Sequence, residues 1–187
     1  MRILFLSFVF ISSSAFCQKF SLLFSAQVSF PTDNFRQTAG NGAGISGRFE
    51  YKISKRFSGI FSIDGLSFAE KSVTIQTVPV LLVRSKAGTE TLQLGGKFNL
   101  WNGLLSTLYV TGELGYSGFH YTLTSDLNKV STYDNNFCYR YAIGYSIKKW
   151  DVSYSQQFIS DGTNSINYLS FRLGYLINMP TNFFHRK

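Results

Sequence analysis

Apolar and polar residues alternate along most of this chain with a period of two. The first run starts at Phe20 and ends at Phe30. Its apolar positions are Phe20, Leu22, Phe24, Ala26, Val28 and Phe30, with Ser21, Ser25, Gln27 and Ser29 between them. A period of two is typical of a β-strand whose two faces meet different surroundings. Because the pattern recurs almost to the end of the sequence, the chain is predicted to be all-β.

The first 17 residues predict a cleavable export signal. Arg2 provides a positive start, residues 3–11 are almost wholly apolar, and cleavage is expected after Cys17, with Ala15 as the second small residue of the site. The apolar run is far shorter than the roughly 20 residues that a spanning helix needs. Phe16 occupies a position where a lipoprotein signal carries a small residue. A helical anchor and a lipidated Cys17 are therefore the less favoured alternatives.

Seven further runs alternate in the same way and are predicted strands. They are residues 44–53, 57–64, 92–100, 107–117, 137–148, 150–158 and 169–177. A longer connection, 31–43, is followed by a tight turn at 54–56, which is the asymmetry expected when short turns face the periplasm and longer loops face outside. Behind an export signal the apolar face can meet lipid. The pattern therefore predicts an antiparallel, up-and-down transmembrane β-barrel in the outer membrane of a Gram-negative envelope.

Residues 73–85 do not alternate cleanly, and they contain Pro79, which cannot donate a hydrogen bond to a strand ladder. Counting this segment gives nine runs, whereas single-chain bacterial barrels normally have an even number of strands. We therefore expect eight spanning strands, with ten as the alternative. Residues 73–85 would extend the third strand or form an outside hairpin that folds back through Lys86, Ala87 and Gly88.

Length and composition agree with a single barrel. Residues 1–17 are the predicted signal, 18–178 the barrel and 179–187 a short C-terminal tail. Only 15% of the residues are charged and 17% are aromatic, against a typical charged share of about 25%, and this balance suits a surface in lipid. A soluble, lipocalin-like periplasmic barrel is a weaker alternative. It would place the apolar faces in a common interior, among them Phe24, Phe49, Tyr141 and Phe171.

The inward positions of the predicted strands collect both signs of charge. They are Arg48, Glu50, Lys52, Asp64, Lys97, Glu113, Arg140, Asp151 and Arg172. The interior of an eight-stranded barrel is just wide enough for side chains to fill, and nearly balanced charges there favour a paired structural network over an ion-selective channel. A porin-like transport barrel or a secretion accessory is the alternative, and greater barrel width would favour it.

No residue pattern predicts catalysis or a bound cofactor. The only histidines, His120 and His185, are far apart, and Cys138 is the single cysteine after the signal, so neither a nucleophile with an oriented base nor a metal site is expected. Residues 40–44 are glycine-rich but lack the lysine and helix of a phosphate-binding loop. The chain is therefore not expected to be an enzyme.

Basic residues give the precursor a net charge of +8. An exported barrel without a recognition motif is a poor partner for nucleic acid. Outer-membrane lipid and surface glycolipid are the expected contacts, through Lys55, Arg56, Lys71 and Lys86; the alternative is that these four are solvated turn charges.

A triplet recurs in the later strands as Leu114-Gly115-Tyr116, Ile143-Gly144-Tyr145 and Leu173-Gly174-Tyr175. In the alternation of its strand, each glycine falls on the inward face, where a narrow barrel is crowded, and each tyrosine falls on the outward face.

The chain resembles the small outer-membrane β-barrel proteins common in Bacteroidota. The resemblance is carried by Phe16-Cys17-Gln18, by residues 28–35 (VSFPTDNF), by 109–116 (YVTGELGY) and by 168–175 (YLSFRLGY). The resemblance implies this fold, an outer-membrane location and only a generic function. Among the competing roles we expect a structural or surface-interaction barrel, whose outside loops at 31–43, 69–89 and 124–135 contact ligands or partners. Arg172, Gly174, Ile177 and Met179 also resemble the terminal signal that the barrel assembly machinery recognises, although the tail after Met179 departs from it.

Overall fold

The computed structural model describes residues 20–75, 81–125, 128–161 and 164–178. The predicted signal and C-terminal tail lie outside these ranges. The described residues form nine strands and one short helix, α1 (Phe35–Thr38). The strands are β1 (Phe20–Pro31), β2 (Gly42–Lys52), β3 (Phe57–Phe68), β4 (Lys71–Ile75), β5 (Leu81–Asn102), β6 (Ser106–Thr124), β7 (Lys129–Ile147), β8 (Trp150–Asp161) and β9 (Asn164–Asn178). No helix in the described part of the chain is long and apolar enough to cross a membrane.

Eight of the strands close into a barrel. Each pairs antiparallel with its neighbours in chain order, β3 pairs with β5, and β9 returns to β1, where Phe24 lies opposite Tyr175. Strand β4 pairs with β5 from Lys71↔Ser85 to Ile75↔Leu81 and stands outside the ring. The predicted up-and-down barrel of eight spanning strands is therefore confirmed, and residues 73–75 pair with 81–83 beside the ring.

Two details of the predicted chain path are wrong. Residues Lys86, Ala87 and Gly88 are not a turn but lie inside β5, where β6 pairs with all three. The expected loop at 124–135 is mostly strand, since β7 begins at Lys129 and pairs with β6. Many residues of this segment are exposed. A strand that meets water on both faces shows little alternation between apolar and polar residues, so the sequence did not indicate it.

The apolar faces point outward, as predicted. Phe24 is 56% exposed, Tyr141 50% and Phe171 50%, and Phe49 is partly exposed, so these side chains do not converge on an interior. Gly115, Gly144 and Gly174 face inward, and the tyrosines that follow them face outward. This arrangement is the opposite of the one that a lipocalin-like barrel requires.

The two ends of the barrel differ. One end carries the short connections 53–56, 103–105 and 148–149, and the other carries α1, β4 and the far ends of three long strands. Strands β5, β6 and β7 have 22, 19 and 19 residues, whereas the other ring strands have 11 to 15. At about 3.3 Å a residue, the long strands rise well above their neighbours. We call this raised part the extension; it comprises residues 71–75, 81–89, 118–124 and 129–135.

Candidate functional site

An ion cluster crosses the lumen at mid-height. Arg140 on β7 donates from Nε to Glu113 Oε1 at 3.1 Å, and its terminal nitrogens pair with Glu113 Oε2 and with Asp64 Oδ2. Glu113 lies directly opposite Arg140 on β6, but Asp64 is on β3, two strands further round the ring. The guanidinium therefore bridges the lumen instead of lying along its wall.

Two further arginines complete this cluster. Arg48 approaches Glu113 Oε1 at 3.5 Å, and Arg172 approaches Asp64 Oδ1 at 3.4 Å while donating to Gln27 Oε1 at 2.9 Å. Ser62 adds a hydrogen bond to Glu113 at 2.6 Å. Strands β1, β2, β3, β6, β7 and β9 thus supply side chains to one buried network, in which two carboxylates are surrounded by three guanidinium groups.

A second group lies nearer the short-turn end. Lys97 pairs with Glu50 at 2.9 Å, and its Nζ lies 4.3 Å from the centre of the Tyr109 ring. The Tyr109 hydroxyl donates to Asp151 at 2.8 Å, and Ser146 donates to the same carboxylate at 2.6 Å. Charged hydrogen bonds of this kind offset the large cost of burying unpaired ions.

Eight of the nine charged residues proposed for the lumen therefore meet in these two groups. They are Arg48, Glu50, Asp64, Lys97, Glu113, Arg140, Asp151 and Arg172. The ninth, Lys52, is exposed at the end of β2. Four of the eight are cations and four are anions, so the buried set is electrically balanced. A lumen lined by one sign of charge, as an ion-selective pore requires, is absent from the described residues.

An aromatic plug, which the charge pattern did not predict, fills the lumen beyond the ion cluster. Phe35 packs edge-on to Phe68 at 4.9 Å between ring centres and to Phe119 at 5.8 Å, and Phe68 packs against Tyr168 at 5.5 Å. All four rings are buried. Helix α1 places Phe35 over the lumen, so the connection between β1 and β2 acts as the lid of this plug.

Sequence reasoning could have found these residues by their position in the repeat. Phe68, Phe119 and Tyr168 share the inward parity of Asp64, Glu113 and Arg172 on their own strands. Tyr109 likewise has the inward parity of Glu113 and is fully buried. An apolar residue at an inward position near the outer end of a strand was the available signal.

Tyr109 explains the inward glycine at position 144. The two residues face each other across β6 and β7, and a Cβ added at Gly144 would overlap the Tyr109 ring. We expect Gly144→Ala to lower the free energy of unfolding by about 1–3 kcal/mol through overpacking. The measurement is a urea titration of the purified barrel in detergent. Gly47→Ala is the matched control, because its Cβ would meet no atom within 4 Å; equal losses in the two variants would contradict the steric account.

The remaining candidate residues do not gather into a site. Lys55 and Arg56 lie in the short turn between β2 and β3, whereas Lys71 and Lys86 lie at the opposite end of the barrel, so these four cations form no common patch. Cys138 is buried and accepts a hydrogen bond from Gln93 at 3.4 Å. Within the described ranges, no three His, Cys, Asp or Glu side chains are grouped so that they could hold a metal ion.

Comparison with known proteins matches the fold alone. No protein-family model matches the chain, and no curated protein matches its sequence. The attachment invasion locus protein Ail of Yersinia pestis superposes with a TM-score of 0.58 at 13% identity, over 86% of this chain and 99% of Ail. The N-terminal β-barrel domain of Pseudomonas aeruginosa OprF gives 0.56 at 9% identity, over 84% and 97%. The chain is an outer-membrane β-barrel by fold.

One further match is to Ail with a bound ligand. Ail in complex with the heparin analogue sucrose octasulfate superposes on this chain with a TM-score of 0.60 at 14% identity, over 86% of this chain and 99% of Ail. At such low identity only the shared architecture is transferred, and the residues of each barrel decide what it binds.

Proposed function

We propose that this protein is a small barrel of the Gram-negative outer membrane that is closed to solutes, has no enzymatic activity, and serves envelope structure and contacts at the cell surface. The observation that carries the proposal is the doubly filled lumen. The ion cluster around Arg140 blocks mid-height, and the plug around Phe35 blocks the outer end. A solute would have to break buried ion pairs and displace packed rings to pass.

Electrical balance supports a structural role for the charges. Removing one partner of a buried ion pair leaves an uncompensated charge, so each member of such a cluster holds the others in place. The salt bridge between Arg140 on β7 and Asp64 on β3 connects two strands that are not neighbours in the ring. We propose that this network rigidifies a narrow barrel and does not select ions.

The extension supports contacts outside the membrane. Short turns of bacterial barrels face the periplasm and longer connections face outside, so we propose that α1 and the extension lie at the cell surface. Lys86 would then lie on the side of surface glycolipid, and Lys55 and Arg56 on the periplasmic side.

The last strand supports a proposed contact during assembly. Strand β9 alternates from Leu169 to Ile177 and ends at Asn178, while Met179 lies outside the described residues. We propose that the barrel assembly machinery recognises β9 and that the protein belongs to the group common in Bacteroidota. Both proposals rest on the sequence resemblance.

Planar-bilayer recording tests whether the barrel is closed. Purified full-length protein, with folding verified by its heat-modifiable gel migration, is expected to give no stable single-channel current. Phe119→Ala should also stay closed, because the ion cluster lies below the plug and still fills the lumen. A steady ohmic current from the wild-type protein would overturn the proposal and favour the porin-like or secretion-accessory role.

A further inference from the structure

A cavity of about 490 Å³ lies above the plug, between α1 and the inner faces of β6, β7 and β9. Its floor is closed and apolar, since Phe35, Phe119 and Ile166 are buried in the plug beneath it. A ligand that entered this cavity would therefore be held at the mouth of the barrel without passing through it. None of the charged residues of the lumen lines the cavity.

Tyr121 gives the cavity a flat aromatic wall. Its ring lies nearly parallel to that of Phe119, with 20° between the planes and 6.1 Å between the centres, and it packs against the plug. Tyr121 is only partly buried, so the ring combines a fixed position with an accessible surface. A fixed, partly exposed ring is the feature that stacks on the C–H face of a flat or cyclic ligand.

The rest of the wall is rich in neutral hydrogen-bonding groups. Asn34 and Gln37 bring amides from the α1 side, and Thr132 brings a hydroxyl from β7. Amides and hydroxyls each donate and accept hydrogen bonds, which matches a ligand whose own groups do both. An apolar floor with several convergent polar groups is the usual composition of a small-ligand site.

We propose that this cavity binds an uncharged saccharide, as part of a glycan outside the cell. Sugar rings present C–H groups on their faces and hydroxyls at their edges. The Tyr121 ring can stack on the C–H face, and the amides can form hydrogen bonds with the hydroxyls. The only charged group among the described lining residues is the Asp134 carboxylate, and no lysine or arginine lines the cavity. A sulfated ligand would therefore find no cation here and would be repelled by Asp134.

A cationic ligand is the competing class, because an aromatic face and one carboxylate also suit an amine. The neutral groups favour the saccharide. An ammonium only donates hydrogen bonds, so it could use the acceptor atoms of Asn34, Gln37 and Thr132 but not their donor groups. The inference rests on the proposed function in one respect, namely that this end of the barrel faces outside.

Binding of immobilised oligosaccharides tests the ligand class. The folded full-length protein in detergent is applied to neutral, sulfated and amine-bearing oligosaccharides, and binding to neutral members alone is expected. Tyr121→Ala should weaken this binding about tenfold or more through loss of stacking. Asp134→Asn should keep binding within about threefold, because an amide still offers hydrogen bonds. Tyr133→Ala is the matched control, since Tyr133 lies on the outward face of the extension.

Three results would overturn the saccharide site. They are binding to sulfated or amine-bearing members only, absence of binding to any neutral member, and equal losses for Tyr121→Ala and Tyr133→Ala. Heat-modifiable migration of each variant separates loss of binding from loss of folding.

Cysteine labelling separates this failure from a failure of the proposed function. Asn128→Cys, which directly precedes β7 beside the extension, should react with a membrane-impermeant maleimide on intact cells, and Lys55→Cys in a short turn should react only after lysis. The wild-type protein gives the background because Cys138 is buried. Labelling of Lys55→Cys alone on intact cells would reverse the proposed orientation, whatever the oligosaccharides show.

Discussion

Replacing Arg140 with methionine is expected to lower the free energy of unfolding by about 3–5 kcal/mol, the usual loss when one partner of a buried ion pair is removed. Arg140 is the main partner of both Glu113 and Asp64, and all three side chains are almost completely buried. Arg48 and Arg172 approach these carboxylates only at 3.5 and 3.4 Å. The variant therefore leaves two buried carboxylates with weak compensation.

Urea unfolding of the refolded protein in lipid vesicles, followed by fluorescence of Trp101 and Trp150, measures the loss. Arg84→Met is the matched control. Arg84 lies 3.7 Å from Glu70 in a largely exposed pair, and exposed pairs contribute only about 0–1 kcal/mol. The double variant Arg140→Met with Glu113→Gln should recover part of the stability, because the charged residues that remain in the two lumen groups are then three cations and three anions. If Arg140→Met is as mild as Arg84→Met, the lumen charges are hydrated, and the proposal that the ion cluster blocks the lumen at mid-height fails.

The direction of each lumen side chain could be predicted from the sequence, but its partner could not. Strand periodicity alone places Arg140 and Asp64 on inward faces. Their pairing across 76 positions of the chain depends on how far each strand is staggered against the next round the ring. That stagger is set by eight pairings together, so no local pattern contains it. Lys52 shows the same limit, because its parity is inward although β2 ends there and leaves it exposed.

The aromatic plug could not be predicted from the charge pattern for a different reason. The polar interior that the charge pattern predicts has no place for Phe68, Phe119 and Tyr168. The structure separates the two kinds of residue by height: Asp64, Glu113 and Arg172 lie at mid-height, whereas Phe68, Phe119 and Tyr168 lie nearer the mouth, where Phe35 of α1 covers them. An aromatic cluster at the mouth can exclude water from the ion pairs below it, and water exclusion strengthens those pairs. The plug and the ion cluster therefore stabilise the lumen together.

Replacing Leu173 with arginine is expected to cost about 2–4 kcal/mol of stability in lipid vesicles, the range measured for a cation at the lipid face near the bilayer midplane. Leu173 is 54% exposed on the outer surface of β9, opposite Ala26 near the middle of β1. Arginine at this position would put a charge into hydrocarbon, although its side chain would meet no steric obstacle from the barrel. The measurement is urea unfolding in vesicles, compared with the wild-type protein under the same conditions.

Leu104→Arg is the matched control, because Leu104 is equally apolar and fully exposed, at 105%, in the short turn between β5 and β6. A charge at the rim of the membrane costs only about 0–1 kcal/mol. The two variants carry the same change of side chain and differ in depth, so the difference between their losses reports where hydrocarbon meets the barrel. On a water-soluble barrel both would be ordinary surface substitutions, with effects within about 0.5 kcal/mol. Small losses for both variants would therefore remove the lipid-facing wall on which the proposed location depends.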